Sequence, residues 1–302
     1  MKFAMAVVLV FSLSIFPLFA EQIAYLVKGA GNYDDLYINN FGFSDPYPIA
    51  MNKDVLQICW ISNGVLAILK NDNNGNDIFV INAHGDFVRK LTTSGCVDHI
   101  AVAPDGKSII FAQITNDGIG ICDNTFNLCK IDIDGSNYRL LAKFGPTNVA
   151  AMVATNSFVY VVENDGSREH YPKKPFPSRL IAYLLSSGER IITAVANHQD
   201  GQKLFDVQLL PDGRILAMIT VYENYFVGGV KRIFPVFFSA VGKVLSFDKN
   251  DQIARLSRLG VVTPLDKRIT VISREGHILS WVVDGDINSA RNFSGYGLAV
   301  WR

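Results

Sequence analysis

The side chains best equipped for chemistry lie in connections rather than in patterned runs. Residues 163–179 gather Arg168, His170, Tyr171, Lys173, Lys174, Phe176 and Arg179, with three prolines restricting the segment. A basic, aromatic and restrained loop suits contact with an acidic or aromatic partner surface. As a solvated excursion it needs no partner at all. Residues 221–238 add Tyr222, Tyr225, Phe226, Phe234, Phe237 and Phe238. These read as a long connection, part of which forms a strand or packs over a rim, and any aromatics left exposed make a contact patch. The candidate partner-binding residues are therefore Arg168, His170, Tyr171, Lys173, Lys174, Phe176, Tyr225 and Phe226.

Catalytic and metal signatures are weaker. Asp72, Asn74 and Asp77 could offer oxygen ligands to Ca²⁺. Gly75 is not at the spacing of an EF-hand loop, however, and an Asn-Gly turn needs no metal. The expectation is a solvated turn and no cofactor. Histidines 84, 99, 170, 198 and 277 show no HxH or HExxH spacing, no cysteine pair has zinc-finger spacing, and there is no GxSxG elbow. His99 and His198 fall near the starts of what read as inner strands, where a satisfied hydrogen-bonding role is the simpler account. An acid–base pair assembled from distant repeats leaves no trace in spacing. No catalytic residue is assigned.

The envelope points to export. Lys2 supplies a positive start, residues 3–16 are almost wholly apolar, Pro17 breaks the run, and Ala20 offers a small residue before Glu21. Residues 1–20 are expected to be a signal peptide. The alternative is an uncleaved anchor, since Leu18 is bulky for its position, though the run is short for a span of ~20 residues. With 28 basic and 28 acidic residues, the chain has no electrostatic footprint for nucleic acid or an anionic membrane. At 19% charged and 49% hydrophobic it has the composition of a folded domain, expected over residues 21–302 as a monomer without a further membrane span. Four cysteines in an exported chain suggest disulfides. A bridge between Cys122 and Cys129 would close a short loop and contribute about 2.5 kcal/mol on the chain-entropy model. Cys59 and Cys96 are left either to pair with each other or to remain thiols.

What must position these residues is a repeat. A strand, a tight Asn/Asp-Gly turn and a second strand occur at LYINNFG (36–42), DIFVINAHG (77–85), LCKIDIDG (128–135), IAYLLSSG (181–188), VLSFDKND (244–251) and ILSWVVDG (278–285). The turn positions lie 34 to 63 residues apart, in the range of four-stranded blades. A second unit, built on a Pro-Asp-Gly turn, is clear at IAVAPDGKSIIFA (100–112) and VQLLPDGRILAMI (207–219). Proline presets the first central φ of such a turn and glycine takes the left-handed one, so Asp105 and Asp212 read as turn formers. Combining the units gives strands A to D per repeat, with A-B and C-D joined by tight turns. The flanking runs are strand-length, rich in Ile, Val, Leu and Phe, and free of helical spacing. The fold class is therefore all-β, a six-bladed β-propeller of four-stranded antiparallel blades. The N-terminal repeat lacks an A strand, and residues 296–302 are expected to supply it and close the ring.

The runs DIFVINAHGDFVRKLTTSG (77–95) and IAVAPDGKSIIFA (100–112) resemble the repeat of TolB-type six-bladed propellers, most closely over residues 70–142. That resemblance implies an envelope location, periplasmic in a Gram-negative source and otherwise secreted, and binding of a protein or ligand. The chain departs from TolB in having no N-terminal α/β domain before its repeats. The long connections fall on the B-C and D-A ends of the strands, opposite the tight turns. Loop length gathered on one face is the pattern of a binding surface on a scaffold. The functional expectation is an exported, non-catalytic propeller that binds a protein or cell-envelope partner through that face. The alternative is a metal-dependent enzyme of lactonase or lyase type acting at a central channel.

Overall fold

The computed structural model describes residues 22–28, 34–40, 47–48, 54–62, 64–115, 125–145, 147–165, 178–196, 202–209, 215–224, 228–238, 268–272, 278–282, 287–292 and 299–301. Residues 1–20, the loop 166–177 with its six candidate contacts, Tyr225, Phe226 and Cys122 lie outside them. Every regular element among the described residues is a strand. In chain order these are β1 (Gln22–Lys28), β2 (Asp34–Asn40), β3 (Tyr47–Pro48), β4 (Val55–Ser62), β5 (Val65–Asn71), β6 (Asn76–Asn82), β7 (Phe87–Lys90), β8 (Val97–Val102), β9 (Ser108–Thr115), β10 (Thr125–Asp132) and β11 (Arg139–Phe144). They continue with β12 (Thr147–Ala154), β13 (Phe158–Asp165), β14 (Ser178–Leu184), β15 (Arg190–Val195), β16 (Gln202–Leu209), β17 (Ile215–Asn224), β18 (Gly228–Phe238), β19 (Arg268–Ile272), β20 (Ile278–Val282), β21 (Ile287–Asn292) and β22 (Ala299–Trp301).

Strands β8 to β11 pair in sequence order as a four-stranded antiparallel sheet, the A-B-C-D unit read from the repeat. Its A-B turn is the Pro-Asp-Gly segment. Gly106 stands at φ 65° and donates to the Ala103 carbonyl at 2.8 Å, while Asp105 accepts from the Lys107 N–H at 3.0 Å. Asp105 is thus a turn former, as its context implied. The C-D turn places Gly135 at φ 87°, a backbone state that glycine adopts without steric cost. Strands β12 to β15 form a second unit of the same order, and β4 to β7 a third.

Strand period explains the packing. Along β9, Ile109 and Phe111 face one apolar layer, with Leu69 and Ile78 of the preceding sheet, while Ile110 and Ala112 face another with Val159, Val161 and Ile181 of the next. The same arrangement joins β1–β2 to β4–β6, and β13–β14 to β16–β17. The sheets β4–β7, β8–β11 and β12–β15 are therefore buried on both faces, at roughly 1.5–3 kcal/mol per large side chain. First strands pack beside first strands (β4, β8, β12, β16 in turn), whereas the fourth strands β7, β11 and β15 end their sheets. Faces buried by sequential neighbours, with an inner and an outer edge, are those of β-propeller blades.

The N-terminal unit is completed by β21, not by residues 296–302. Ile23 pairs with Asn292 and Tyr25 with Ala290, giving the order β21-β1-β2-β3, while β22 pairs with β19 instead. Ala24, Tyr25, Leu26 and Val27 are all buried, so the edge of β1 needs a long partner. Six-residue β21 supplies one and three-residue β22 does not. In consequence β21 does not pair with the preceding β20, where the repeat at 278–285 implied a hairpin.

The connection at 221–238 is mostly strand. Phe234, Phe237 and Phe238 of β18 lie opposite Ile219, Leu216 and Ile215 of β17, which leaves three residues between the two elements. Aromatic and branched side chains favour this pleated surface over a loop.

The expected Cys122–Cys129 bridge falls on Cys122, outside the described residues. Cys129 is a free, buried thiol inside β10, opposite Phe111, and it stands 3.2 Å from the Tyr138 hydroxyl. Its place in the apolar layer with Ile100 and Ile131 pushes the thiol pKa up. No bridge joins Cys59 to Cys96, and the Cys59 thiol meets the Ile100 carbonyl at 3.7 Å.

Candidate partner-binding face

Antiparallel order puts the A-B and C-D turns at one end of each sheet and the B-C and D-A connections at the other. The turn end is tight, with Gly64, Gly85, Gly106, Gly135 and Gly188 all at positive φ. At the opposite end the B-C connections run 72–75, 116–124, 166–177 and 225–227. The two longest leave adjacent sheets, and 166–177 is the basic, aromatic segment singled out by composition.

Both roots of that segment are fastened by buried polar groups. On the β13 side, Glu163 is buried. Its carboxylate accepts from the Tyr183 hydroxyl at 2.6 Å and from Arg190 Nη2 at 3.2 Å. Burial raises the Tyr183 phenol pKa, and the Glu163 charge raises it further. On the β14 side, fully buried Ser178 accepts from the Leu204 N–H at 3.1 Å and faces the Leu204 carbonyl at 3.4 Å. Thr147 donates to the Asn164 carbonyl at 2.8 Å beside them. The strand ends that flank that segment are thereby fixed by buried groups. Sequence reading missed Glu163 and Ser178. Their signal was a polar residue at each strand end flanking the prolines, which spacing alone does not distinguish from a solvated end.

The first described loop at this end is organised around a cation. Lys90, at the end of β7, bridges Asp72 and Asp77, with Nζ 3.0 Å from Asp77 Oδ2. Fully buried Asp77 also accepts from Thr92 Oγ1 at 2.8 Å and from the Gly95 N–H at 3.1 Å. The Lys90 ammonium stands 5.2 Å from the centre of the Phe79 ring. Its bond to Asp72 raises the Lys90 pKa and lowers that of Asp72. The structure thus brings Asp72 and Asp77 together, as the Ca²⁺ idea required, but around a lysine. Asn74 joins through its N–H, 3.3 Å from Asp72 Oδ1. Among the described residues no group of three or more His, Cys, Asp or Glu is placed to hold a metal.

Toward the inner strands, the pairings β4–β5, β8–β9, β12–β13 and β16–β17 each carry a one-residue bulge near the start of the A strand. The extra residues are Leu56, Asp98, Ala150 and Phe205. A bulge bends its strand and re-aims a side chain. In β8 the result is a carboxylate–imidazole contact, with Asp98 Oδ2 2.8 Å from His99 Nδ1 and both side chains half-buried. His99 therefore has the hydrogen-bonded setting expected of it. Asp98 orients the ring, and this partner was not legible as one in the sequence.

No protein-family model matches this chain, and no curated protein does. Solved structures are similar to it. A putative TolB from Agrobacterium tumefaciens aligns at 15% identity and a TM-score of 0.51, covering 74% of this chain and 80% of that one. The β-propeller domain of the Trilobed protease from Pyrococcus furiosus aligns at 13% identity and a TM-score of 0.47, over 89% and 79% of the two chains. TolB from Acinetobacter baumannii aligns at 14% identity and a TM-score of 0.37, over 75% and 63%. At such identities the likeness is one of fold: the structural neighbours are TolB and TolB-like β-propellers.

Proposed function

We propose that this chain is an exported, non-catalytic propeller of six blades that binds a protein or cell-envelope component through the end carrying its B-C and D-A connections. The observation behind this is the asymmetry between the two ends of the sheets. One end is closed by short turns of constrained glycine geometry. The other presents residues 116–124 and 166–177 from adjacent sheets, the second with Arg168, His170, Tyr171, Lys173, Lys174 and Phe176 between the buried anchors Glu163 and Ser178. Anchored roots lower the ordering cost of binding, and aromatic and arginine side chains are the usual sources of interface energy. Export rests on residues 1–20, with a periplasmic location in a Gram-negative source and secretion otherwise.

Replacing residues 168–176 by a short Gly-Ser linker tests the proposal. The expected result is loss of partner recovery in a pull-down from envelope extract, with an unchanged circular dichroism spectrum. Undiminished recovery would remove the loop from the binding surface.

One observation favours a second reading, a metal-dependent enzyme acting at the inner strands. Asp98 holds His99 in the manner of a carboxylate that orients a metal-binding imidazole. Stoichiometric Mn²⁺, Zn²⁺ or Ca²⁺ surviving dialysis, and lost on His99→Ala, would favour that reading over the first.

A further inference from the structure

We propose that Asn74 is a site of spontaneous covalent modification, at which the Gly75 backbone nitrogen converts the side-chain amide into a carboxylate, partly as isoaspartate. Asparagine is a thermolabile residue because the nitrogen of the following peptide can attack its side-chain carbonyl. The attack needs a side chain free to turn, a successor without a side chain in the way, and a backbone N–H without an acceptor. Among the described residues Asn74 alone meets all three conditions.

The hydrogen bonds of residues 71–76 leave one donor over. The N–H groups of Asn71, Asp72 and Asn76 donate to the Asp54, Gly75 and Gly95 carbonyls at 3.1, 3.1 and 2.9 Å. Those of Asn73 and Asn74 donate to Asn71 Oδ1 at 3.2 Å and to Asp72 Oδ1 at 3.3 Å. The Gly75 N–H has no acceptor among the described residues. Side chains divide in the same way. The Asn71 and Asn76 amides hold each other at 3.1 Å, Asn82 donates to Asp86 at 2.8 Å, and Asn137 donates to Asp132 at 2.7 Å. Asn74 is exposed, and its amide has no such bond among the described residues.

Packing itself imposes the labile pair. Gly75 stands at φ 116°, and a Cβ there would lie 2.1 Å from the Gly95 carbonyl oxygen. In return, a Cβ on Gly95 would lie 2.1 Å from the Asn74 carbonyl oxygen. The connection from β7 to β8 passes so close to this loop that the residue after Asn74 has to be glycine. Asn74 therefore cannot be shielded by a bulkier neighbour.

The chemistry needs only water. The Gly75 nitrogen gives its proton to solvent hydroxide and bonds to Asn74 Cγ, the Cγ–Nδ2 bond breaks, and ammonia leaves a cyclic imide. Water then opens either carbonyl–nitrogen bond of the ring, giving aspartate or isoaspartate. In sum an amide and water become a carboxylic acid and ammonia, with no oxidant or reductant. The new carboxylate joins Asp72 and Asp77, to both of which Lys90 is already bonded. In the isoaspartyl product the main chain is also one carbon longer, at the contact with Gly95. This change falls at the B-C and D-A end of the sheets but does not depend on the binding role proposed for it.

The test holds the purified protein, expressed from the full-length sequence, at mildly alkaline pH and follows it by peptide mapping. The expected result is a gain of about 1 Da at Asn74 within the tryptic peptide 71–89, at least tenfold faster than at Asn71, Asn73, Asn76 or Asn82. The rate should rise in proportion to hydroxide, and part of the product should accept a methyl group from an isoaspartate-specific methyltransferase. Asn74→Gln, whose ring closure is slower by one more carbon, should abolish the gain at the parental melting temperature. The folded protein should react within tenfold of the rate of a free peptide of residues 71–89. Conversion in the peptide but not in the folded protein would show that the Gly75 N–H is withheld, and would overturn the proposal. So would conversion spread evenly over the asparagines of that peptide in the folded protein, or a gain that persists in Asn74→Gln.

Discussion

The Gln57 side chain is joined to Ile100 as one strand is joined to another: Oε1 accepts from the Ile100 N–H at 2.8 Å and Nε2 donates to the Ile100 carbonyl at 2.9 Å. Two first strands of adjacent sheets, β4 and β8, are thereby connected through a side chain in a buried setting. Ser178 makes the equivalent contact with both backbone groups of Leu204, two sheets further on. Sheets that meet mainly through apolar layers gain from these links a defined angular position at which no buried backbone group is orphaned.

Gln57→Ala should therefore cost about 2–4 kcal/mol, since it leaves the buried Ile100 N–H without an acceptor and opens a cavity. Gln57→Glu keeps the acceptor but loses the donor, and should cost less at acid pH, where a protonated carboxyl can again donate. Urea titrations at pH 4.5 and 7.5 would show whether the two variants separate as expected.

Asp77 is fully buried and owes its tolerable charge to Lys90, Thr92 and Gly95. Lys90→Met keeps the apolar stem against Phe79 but strands that charge, at a cost of about 3 kcal/mol. Lys90→Met/Asp77→Asn should recover part of the loss. A double-mutant cycle by chemical denaturation gives the coupling, and a coupling near zero would reduce the network to surface decoration.

Tyr25 is fully buried, stacked on Tyr37 at 5.5 Å, and its hydroxyl has no partner among the described residues. Burial, with a smaller contribution from Tyr37, pushes its pKa up to about 12. A folded-state pKa above the unfolded one near 10 means that stability is intact below pH ~10 and is lost as pH rises toward 12. The expected loss is of the order of 2–3 kcal/mol for this group. Tyr183, raised in the same direction, adds to it. Tyr25→Phe should gain about 1 kcal/mol at neutral pH by deleting an unsatisfied hydroxyl, and should flatten the alkaline limb. Thermal melts from pH 7 to 11 on both proteins test gain and slope together.

Turn glycines that look alike in sequence should respond differently. Gly135 and Gly188 close equivalent C-D turns, at φ 87° and 75°. Alanine at Gly135 would meet nothing nearer than Arg89 Nη1 at 4.0 Å, so it should cost only the ~1–2 kcal/mol of a left-handed non-glycine residue. Alanine at Gly188 would put its Cβ 2.1 Å from the Leu141 carbonyl oxygen, a backbone atom of the neighbouring sheet. The turn must shift, and the penalty should exceed that of Gly135→Ala by at least 2 kcal/mol. Equal melting temperatures for the two variants would contradict the close approach.

These residues also mark how much the sequence declares. Period-2 alternation and turn glycines are local signals, so the four-stranded unit, the role of Asp105 and the two ends of the sheets are legible before any coordinates. Gly135 and Gly188 are the limit of that legibility: both close a C-D turn of the repeat, and the close approach of the neighbouring sheet at Gly188 leaves no mark in either turn. The same limit hides Asp98 beside His99, since a one-residue bulge leaves no mark in a strand pattern. It hides the bonding of Glu163 to Tyr183 and Arg190 across three strands. The aromatic run at 221–238 reads as a connection that is partly strand, but length and composition suit both a loop and a long hairpin, and the pairing of Phe237 with Leu216 decides how much of it is strand. Nearness in sequence to Cys122 likewise says nothing about which face of β10 the Cys129 thiol occupies.

Pairing at a distance is where sequence reading and structure differ most, and truncation tests it. Residues 296–302 were the expected partner of the N-terminal unit, yet β21 fills that place and β22 pairs with β19. Ending the chain after residue 295 removes only the three described residues of β22, and should lower stability by about 1–3 kcal/mol while leaving a cooperative transition. Ending it after residue 286 also removes β21, and exposes one edge of β1 along Ile23–Val27, where Ala24, Tyr25, Leu26 and Val27 are buried in the intact protein. An apolar, unpaired edge of that length templates association. The longer truncation should therefore aggregate on expression, or refold only with an added peptide of residues 287–302. If instead the shorter truncation aggregates and the longer behaves no worse, the C-terminal strand would be the closing element after all, and the β1–β21 register would be wrong.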